Sequence, residues 1–212
     1  MPEEKVKNNI YLKDLEILSD VNPLKAGLRI DFKAPICFLV GDNGVGKSTI
    51  MECLADKFDY NDDTYIKRSD MKKHIKITFD EGHEVKYVDF HSGDKKFASS
   101  LSDNIGTKMT MMRASAGQCT LVLLNSANFK NVKDAVVILD EPCRGLSIKN
   151  QWAIASFIMN MQTLKGCQMI VTSHSDIILE CFSTSAQYFD VGTGKDVTYK
   201  EFMLSQLSFT KD

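Results

Sequence analysis

Apolar runs bounded by glycine and proline outline the chain. Pro35 to Val40 is unbroken and reads as a buried parallel strand, and Ser48 to Phe58 follows with helical spacing. Ahead of them, Asn9 to Leu18 is β-branched and apolar, and Ala26 to Lys33 alternates through Leu28, Ile30 and Phe32, with Asn22-Pro23 as the turn between. Residues 1–8 are charged and polar, as fraying termini are. Beyond a polar stretch, Asp59 to Ser69, His74 to Phe79 and Glu84 to Phe90 alternate around Asp80-Glu-Gly-His83, which predicts a β-hairpin. Ser92 to Met112 is weakly patterned, broken by Gly93 and Gly106, and reads as a short lid or linking segment.

From Ser115 the pattern changes. Ser115 to Asn125 opens with a helix-start signal and continues as a buried helix. Asp134 to Leu139 and Cys167 to Val171 are core strands. The helix Ser147 to Leu164, spaced through Ile148, Trp152, Ile154, Ala155, Ile158 and Met159, lies between them and ends at Lys165-Gly166. A short helix at Asp176 to Phe182, a strand at Ala186 to Val191, a Gly192-Thr-Gly194 turn and a helix near Tyr199 to Leu207 complete the chain. With Gly41-Asp-Asn-Gly-Val-Gly-Lys-Ser-Thr49 as a phosphate-binding loop between the first buried strand and its helix, the expected fold is α/β: a P-loop NTPase with a mainly parallel core sheet flanked by helices, plus a small antiparallel β subdomain and a short lid.

Composition changes this picture little. The 212 residues suit a single domain, 1–212, with about 59–112 as a hairpin and lid insertion. No apolar run reaches the length of a membrane span and no basic, apolar leader opens the chain, so a cytoplasmic protein without membrane insertion is expected. A net charge of −2 excludes a general polycation; Lys67-Arg68, Lys72-Lys73 and Lys95-Lys96 read as solvated surface. The six cysteines form no CxxC pair and the four histidines have no metal-ligand spacing, which predicts no structural zinc.

The chemistry is concentrated in three places. Gly41-Asp-Asn-Gly-Val-Gly-Lys-Ser-Thr49, between strand and helix, is a phosphate-binding loop in its required context. Gly41, Gly44 and Gly46 let successive N–H groups turn inward around an anion at a helix N-terminus. Asp42, Asn43, Gly44, Val45, Gly46, Lys47, Ser48 and Thr49 are the expected nucleotide contacts, with Lys47 on the β- and γ-phosphates and Ser48 on a magnesium ion. Val136-Val-Ile-Leu-Asp-Glu-Pro142 ends a strand in two carboxylates: Asp140 to orient the magnesium shell, Glu141 as general base toward the attacking water. Val171-Thr-Ser-His-Ser175 ends another strand at His174, a partner for the γ-phosphate or that water. On the early strand, Tyr11 or Lys13 is a candidate contact to adenine or ribose.

The order of these motifs, with Ser115-Ala-Gly-Gln118 before the double carboxylate and Gly145-Leu-Ser147 after it, resembles the ABC-type ATPase superfamily. It looks most like the soluble branch: heads of chromosome-structure and recombination-repair ATPases and stand-alone AAA/ABC-type ATPases. The resemblance covers about residues 10–190. It implies magnesium-dependent ATP hydrolysis by a homodimer, closing head-to-tail around two ATP as a switch for a protein or DNA partner. It also implies that Ser115, Gly117 and Gln118 face the γ-phosphate held by the other subunit, and that Gly145-Leu-Ser147 meets its counterpart across the dimer. Two departures stand out: no glutamine occurs between Thr49 and Gln118, where Asp89 or His91 takes about that place, and Ala116 replaces the usual glycine. The chain has no room for a long coiled-coil arm. Two other functions fit the motifs, a transporter's nucleotide-binding subunit and a non-hydrolysing ATP sensor. The uncharged Cys119 to Leu124 departs from the arginine-containing helix of transporter engines.

Overall fold

The computed structural model describes residues 9–58, 70–90, 124 and 127–207. In chain order the elements are β1 (Leu12–Ile17), β2 (Arg29–Asp31), β3 (Ile36–Val40), α1 (Lys47–Lys57), β4 (Ile75–Phe79), β5 (Val85–Asp89), α2 (Ala127–Lys130) and β6 (Val136–Asp140). After these come α3 (Ile148–Thr163), β7 (Gln168–Thr172), α4 (Asp176–Cys181), β8 (Gln187–Asp190), β9 (Lys195–Val197) and α5 (Tyr199–Leu207). Ser115, Gly117, Gln118 and His91 lie outside the described residues, as do the lid Ser92 to Met112 and all but Leu124 of the helix expected at Ser115 to Asn125.

Two sheets share the strands. Six form the order β5-β6-β7-β3-β8-β9, parallel except for the last, and three form the antiparallel sheet β2-β1-β4. The unbroken apolar runs become β3, β6 and β7, each buried along its whole length, because crossover helices cover both faces of a parallel sheet. One face packs Phe38, Val137, Leu139 and Val171 against Ile154 and Ile158 of α3 and Ile178 of α4. The other packs Leu39, Ile138 and Ile170 against Ile50, Met51 and Leu54 of α1, which is covered on its far side by Leu15, Ile30 and Ile75 of the small sheet. Helix α1 is therefore enclosed between two sheets, and eight of its eleven residues are buried.

Two buried glutamines fasten the small sheet to the large one. Gln168, at the start of β7, accepts from the N–H groups of Tyr11 and Leu12 at 2.9 and 2.7 Å and donates to the Leu12 carbonyl at 2.9 Å. Gln187, at the start of β8, accepts from Lys33 N–H at 2.8 Å and donates to the Asp31 carbonyl at 2.8 Å. Each side-chain amide substitutes for a strand neighbour and satisfies backbone groups that burial would otherwise leave unpaired.

The structure corrects the predicted hairpin. β4 pairs with β1, while β5 pairs in parallel with β6. The decisive residues are Tyr87 and Val88, adjacent and both buried, one in the core around α1 and the other in the core on the opposite face. A hairpin with one wet face has no place for two such neighbours. The turn at Asp80–Glu84 carries the chain from one sheet to the other, held where His83 Nδ1 meets the Asp134 carbonyl at 2.6 Å. β9, α2 and a short 3-10 turn at Met71–His74 were not expected from the sequence.

Candidate functional site

Strands β6, β7 and β3 are adjacent and parallel, so their carboxyl ends share one edge of the sheet. Gly41, Glu141 and Ser173-His174 follow those ends directly. Such an edge is where ligands of open α/β sheets bind. The glycine turn depends on two positions. At Gly41 (φ +128°) a Cβ would lie 3.0 Å from Asp190 Oδ1 and 3.1 Å from Val45 Cγ2. At Gly46 (φ +109°), which caps α1, a Cβ would lie 2.4 Å from Leu24 Cδ2. Only glycine satisfies both the left-handed backbone and the close approach.

Lys47 is buried, and its ammonium donates to the carbonyls of Gly41 and Asp42, each at 2.8 Å. Burial pulls its pKa below the ordinary lysine value, against the opposing pull of Glu141, Asp140, Asp42 and Asp190. A cavity of about 210 Å³ is lined by Asn43, Gly44 and Gly46, by Lys47, Ser48 and Thr49, by Pro23, and by Glu141 and His174. The residues singled out in three separate stretches of sequence thus converge on one space. Across it, His174 Nε2 stands 3.3 Å from Glu141 Oε1; the histidine side chain is 47% exposed and the glutamate 8%. The carboxylate is desolvated and the imidazole remains accessible.

Asp140 and Glu141 are adjacent, and in a continued strand they would point to opposite faces. Glu141 instead has φ +55°, a left-handed conformation that costs a non-glycine residue on the order of 1–2 kcal/mol. Thr172 supports it. Its hydroxyl accepts from Glu141 N–H at 2.9 Å and donates to Asp140 Oδ1 at 2.5 Å, fixing both acidic residues from the neighbouring strand. Sequence reading missed this role, because a threonine in an apolar run reads as an ordinary strand former. Thr172→Val keeps the shape but leaves a buried N–H without an acceptor. It is expected to lower stability by about 1–3 kcal/mol, read as a lower urea midpoint at unchanged slope.

Two sequence expectations are separated from the site. Tyr11 donates through its hydroxyl to the Gly166 carbonyl at 2.9 Å and stacks on His83 with ring centroids 3.8 Å apart. Burial and the neighbouring Asp134 push its pKa up to about 12. Gly166 precedes β7 and Asp134 precedes β6, so Tyr11 sits at the amino edge of the sheet, opposite the glycine turn. Lys13, half-exposed on β1, pairs with Asp80 at 2.8 Å. Neither contributes to the cavity, because strand direction places the start of β1 against the heads of the core strands. Asp89 ends β5 beside Asp140 in register, at the outer strand of the same edge.

The donors present suit one hard divalent cation. Ser48 lines the cavity and the buried Asp140 ends β6 next to Glu141, so the two offer oxygen donors of the kind Mg²⁺ takes when a few protein groups are completed by substrate phosphates. Among the described residues, no cluster of three or more His, Cys, Asp or Glu could hold a metal by itself.

Comparison with known proteins adds to the geometry. A family profile described as an AAA domain matches residues 17–160. The zinc import ATP-binding protein ZnuC of Histophilus somni is 28% identical over 178 residues, covering 78% of this chain and 64% of that protein. ZnuC of Acinetobacter baylyi is 23% identical over 149 residues, covering 66% and 57%. The chain thus spans about six-tenths of the length of these curated relatives. Among solved structures, CbiO1 of Clostridium perfringens, part of the ABC transporter complex CbiONQ, superposes with a TM-score of 0.57 at 18% identity, covering 93% of this chain and 92% of that one. The ADP conformation of another ATP-binding cassette of an ABC transporter gives 0.58 at 15% identity, covering 95% and 96%. These likenesses establish the shared fold.

Proposed function

The chain belongs to the AAA-domain family and has the fold of ABC-type ATP-binding cassettes, and on that premise we propose that it hydrolyses ATP with magnesium. The observation that carries the reading is the desolvated Glu141 carboxylate, 3.3 Å from His174 and lining the same cavity as Lys47. In this mechanism Lys47 and the N–H groups of the glycine turn hold the β- and γ-phosphates. Ser48 and Asp140 would hold a magnesium ion, which when bound would neutralise charge on those phosphates. Glu141 accepts a proton from water as its oxygen attacks the γ-phosphorus. The bond to the β-bridging oxygen breaks, giving ADP and inorganic phosphate. His174 orients Glu141 and the phosphate through its accessible imidazole.

The same proposal makes residues 1–212 one ABC-type domain that pairs head-to-tail with a second copy around two ATP. Ser115, Gly117 and Gln118 would reach the neighbour's γ-phosphate and Gly145-Leu-Ser147 would meet its counterpart. Motif order supports this assignment. We place the protein in the cytoplasm as a switch for a protein or DNA partner. Among the described residues, no helix is long and apolar enough to cross a membrane. A second reading, a nucleotide-binding subunit seated on a membrane partner, is favoured by the transport-related names of the relatives. The absent glutamine between Thr49 and Gln118 weighs against it.

The test is phosphate release by the purified protein, with light scattering in parallel. Phosphate should appear with ADP, an ATP-dependent dimer should form, and excess chelator should reduce turnover to background, since Ser48 and Asp140 then have no ion to hold. Tight ATP binding with no phosphate release would instead favour the non-hydrolysing sensor. Stoichiometric co-purification with a membrane protein would favour the transporter reading.

A further inference from the structure

Gln151 lies near the start of α3, and its side chain joins two loops of the site. Its Nε2 donates to the Leu146 carbonyl at 2.9 Å, inside the Gly145–Ser147 loop. Its Oε1 accepts from Ser175 Oγ at 2.6 Å, on the residue after His174. The amide orientation is determined by its partners, because reversing it would place two oxygens, Oε1 and the Leu146 carbonyl, against each other. Ser175 is itself fixed at both ends: its N–H donates to Ser173 Oγ at 3.0 Å, and its Oγ accepts from Ile178 N–H at 3.3 Å as the cap of α4. His174, held between these two serines, reaches Glu141 at 3.3 Å. Gln151, Ser175, His174 and Glu141 also line a second cavity of about 400 Å³, next to the first and sharing Asn43, Glu141 and His174 with it.

We propose that Gln151 is a positioning residue that ties the Gly145–Ser147 loop to His174 through Ser175, so that the Glu141–His174 pair is set only when that loop is in place. The proposal rests on the hydrolytic reading of the site. Because the Gln151 amide links the Leu146 carbonyl to the Ser175 hydroxyl, the loop cannot shift without displacing Ser175 or giving up the Gln151 bond. Whatever docks on the loop thereby acts on the pair without touching it. A purely structural glutamine would stabilise α3 and leave the chemistry unchanged.

The experiment uses Gln151→Leu, Gln151→Lys and Ser175→Ala in the full chain. Gln151→Lys keeps a donor for Leu146 and loses the acceptor for Ser175. The expected result is a fall in kcat on the order of tenfold for each variant with KM for magnesium-ATP within about twofold of wild type, since ground-state binding by Lys47 is untouched. Gln151→Leu combined with Ser175→Ala should be no slower than either alone, the signature of groups acting as one unit. Independently of turnover, the imidazole NMR signal of His174, one of four histidines and assigned with His174→Gln, should move in Gln151→Leu. A His174 signal and kcat at wild-type values in Gln151→Leu would overturn the proposal, as would multiplying effects in the double variant. A wild-type protein without any turnover would refute the hydrolytic reading, and the His174 signal would then decide the positioning role by itself.

Discussion

Glu141→Gln is expected to bind ATP as tightly as wild type while turning it over at least about 100-fold more slowly. The amide keeps the size of the carboxylate and an Oε1 for His174 Nε2, and the Glu141 N–H still has Thr172 Oγ1 as its acceptor. The substitution therefore removes one capacity, proton acceptance, from a group that is already desolvated. Because binding persists and cleavage stops, the ATP-bound dimer should accumulate and be visible by size-exclusion chromatography with ATP present. Hydrolysis at the wild-type rate would remove Glu141 from the role of base.

Lys47→Ala should weaken magnesium-ATP binding on the order of 100-fold or more, measured by calorimetry or fluorescent-nucleotide displacement. Its ammonium is the buried cation of the cavity, and its hydrogen bonds to the Gly41 and Asp42 carbonyls also hold the glycine turn together. Alanine removes both functions, so Lys47→Met serves as the companion variant. It fills the space of the lysine stem without the charge. Methionine also lacks a donor for those carbonyls, but burial already opposes the charge on Lys47, so it should lower the thermal midpoint less than alanine does while binding is still lost. Wild-type affinity in either variant would contradict the phosphate-binding assignment.

Much of this site was legible in the sequence because each part is a local signal. A glycine turn between an apolar strand and a helix, a strand ending in Asp140-Glu141 and a strand ending in His174 all name their own position at a sheet edge. Strand partners are not local. His74 to Phe79 and Glu84 to Phe90 alternate equally well as a hairpin or as members of two sheets, and only the two-sided burial of Tyr87 and Val88 distinguishes them. Tyr11 was misplaced for a related reason: its distance along the chain from Gly41 does not reveal which edge of the sheet it reaches. Thr172, Gln151, Gln168 and Gln187 act through partners between 5 and 157 residues distant, and each looks unremarkable in its own stretch.

The place of β3 has a consequence for biosynthesis. The strand that launches the glycine turn is flanked by β7 and β8, with Ile36 opposite Met169 and Val40 opposite Asp190, 150 residues downstream. A nascent chain that has displayed Gly41 to Thr49 still lacks both neighbours of the strand beneath it. At roughly 5–20 residues per second, about 7–30 s of translation separate the two events. During that interval the apolar β3 has no sheet to enter and is a natural client for a chaperone at the ribosome exit. A message cut between Thr49 and β8 yields a polypeptide that carries the whole phosphate-binding motif on a strand lacking its β8 neighbour.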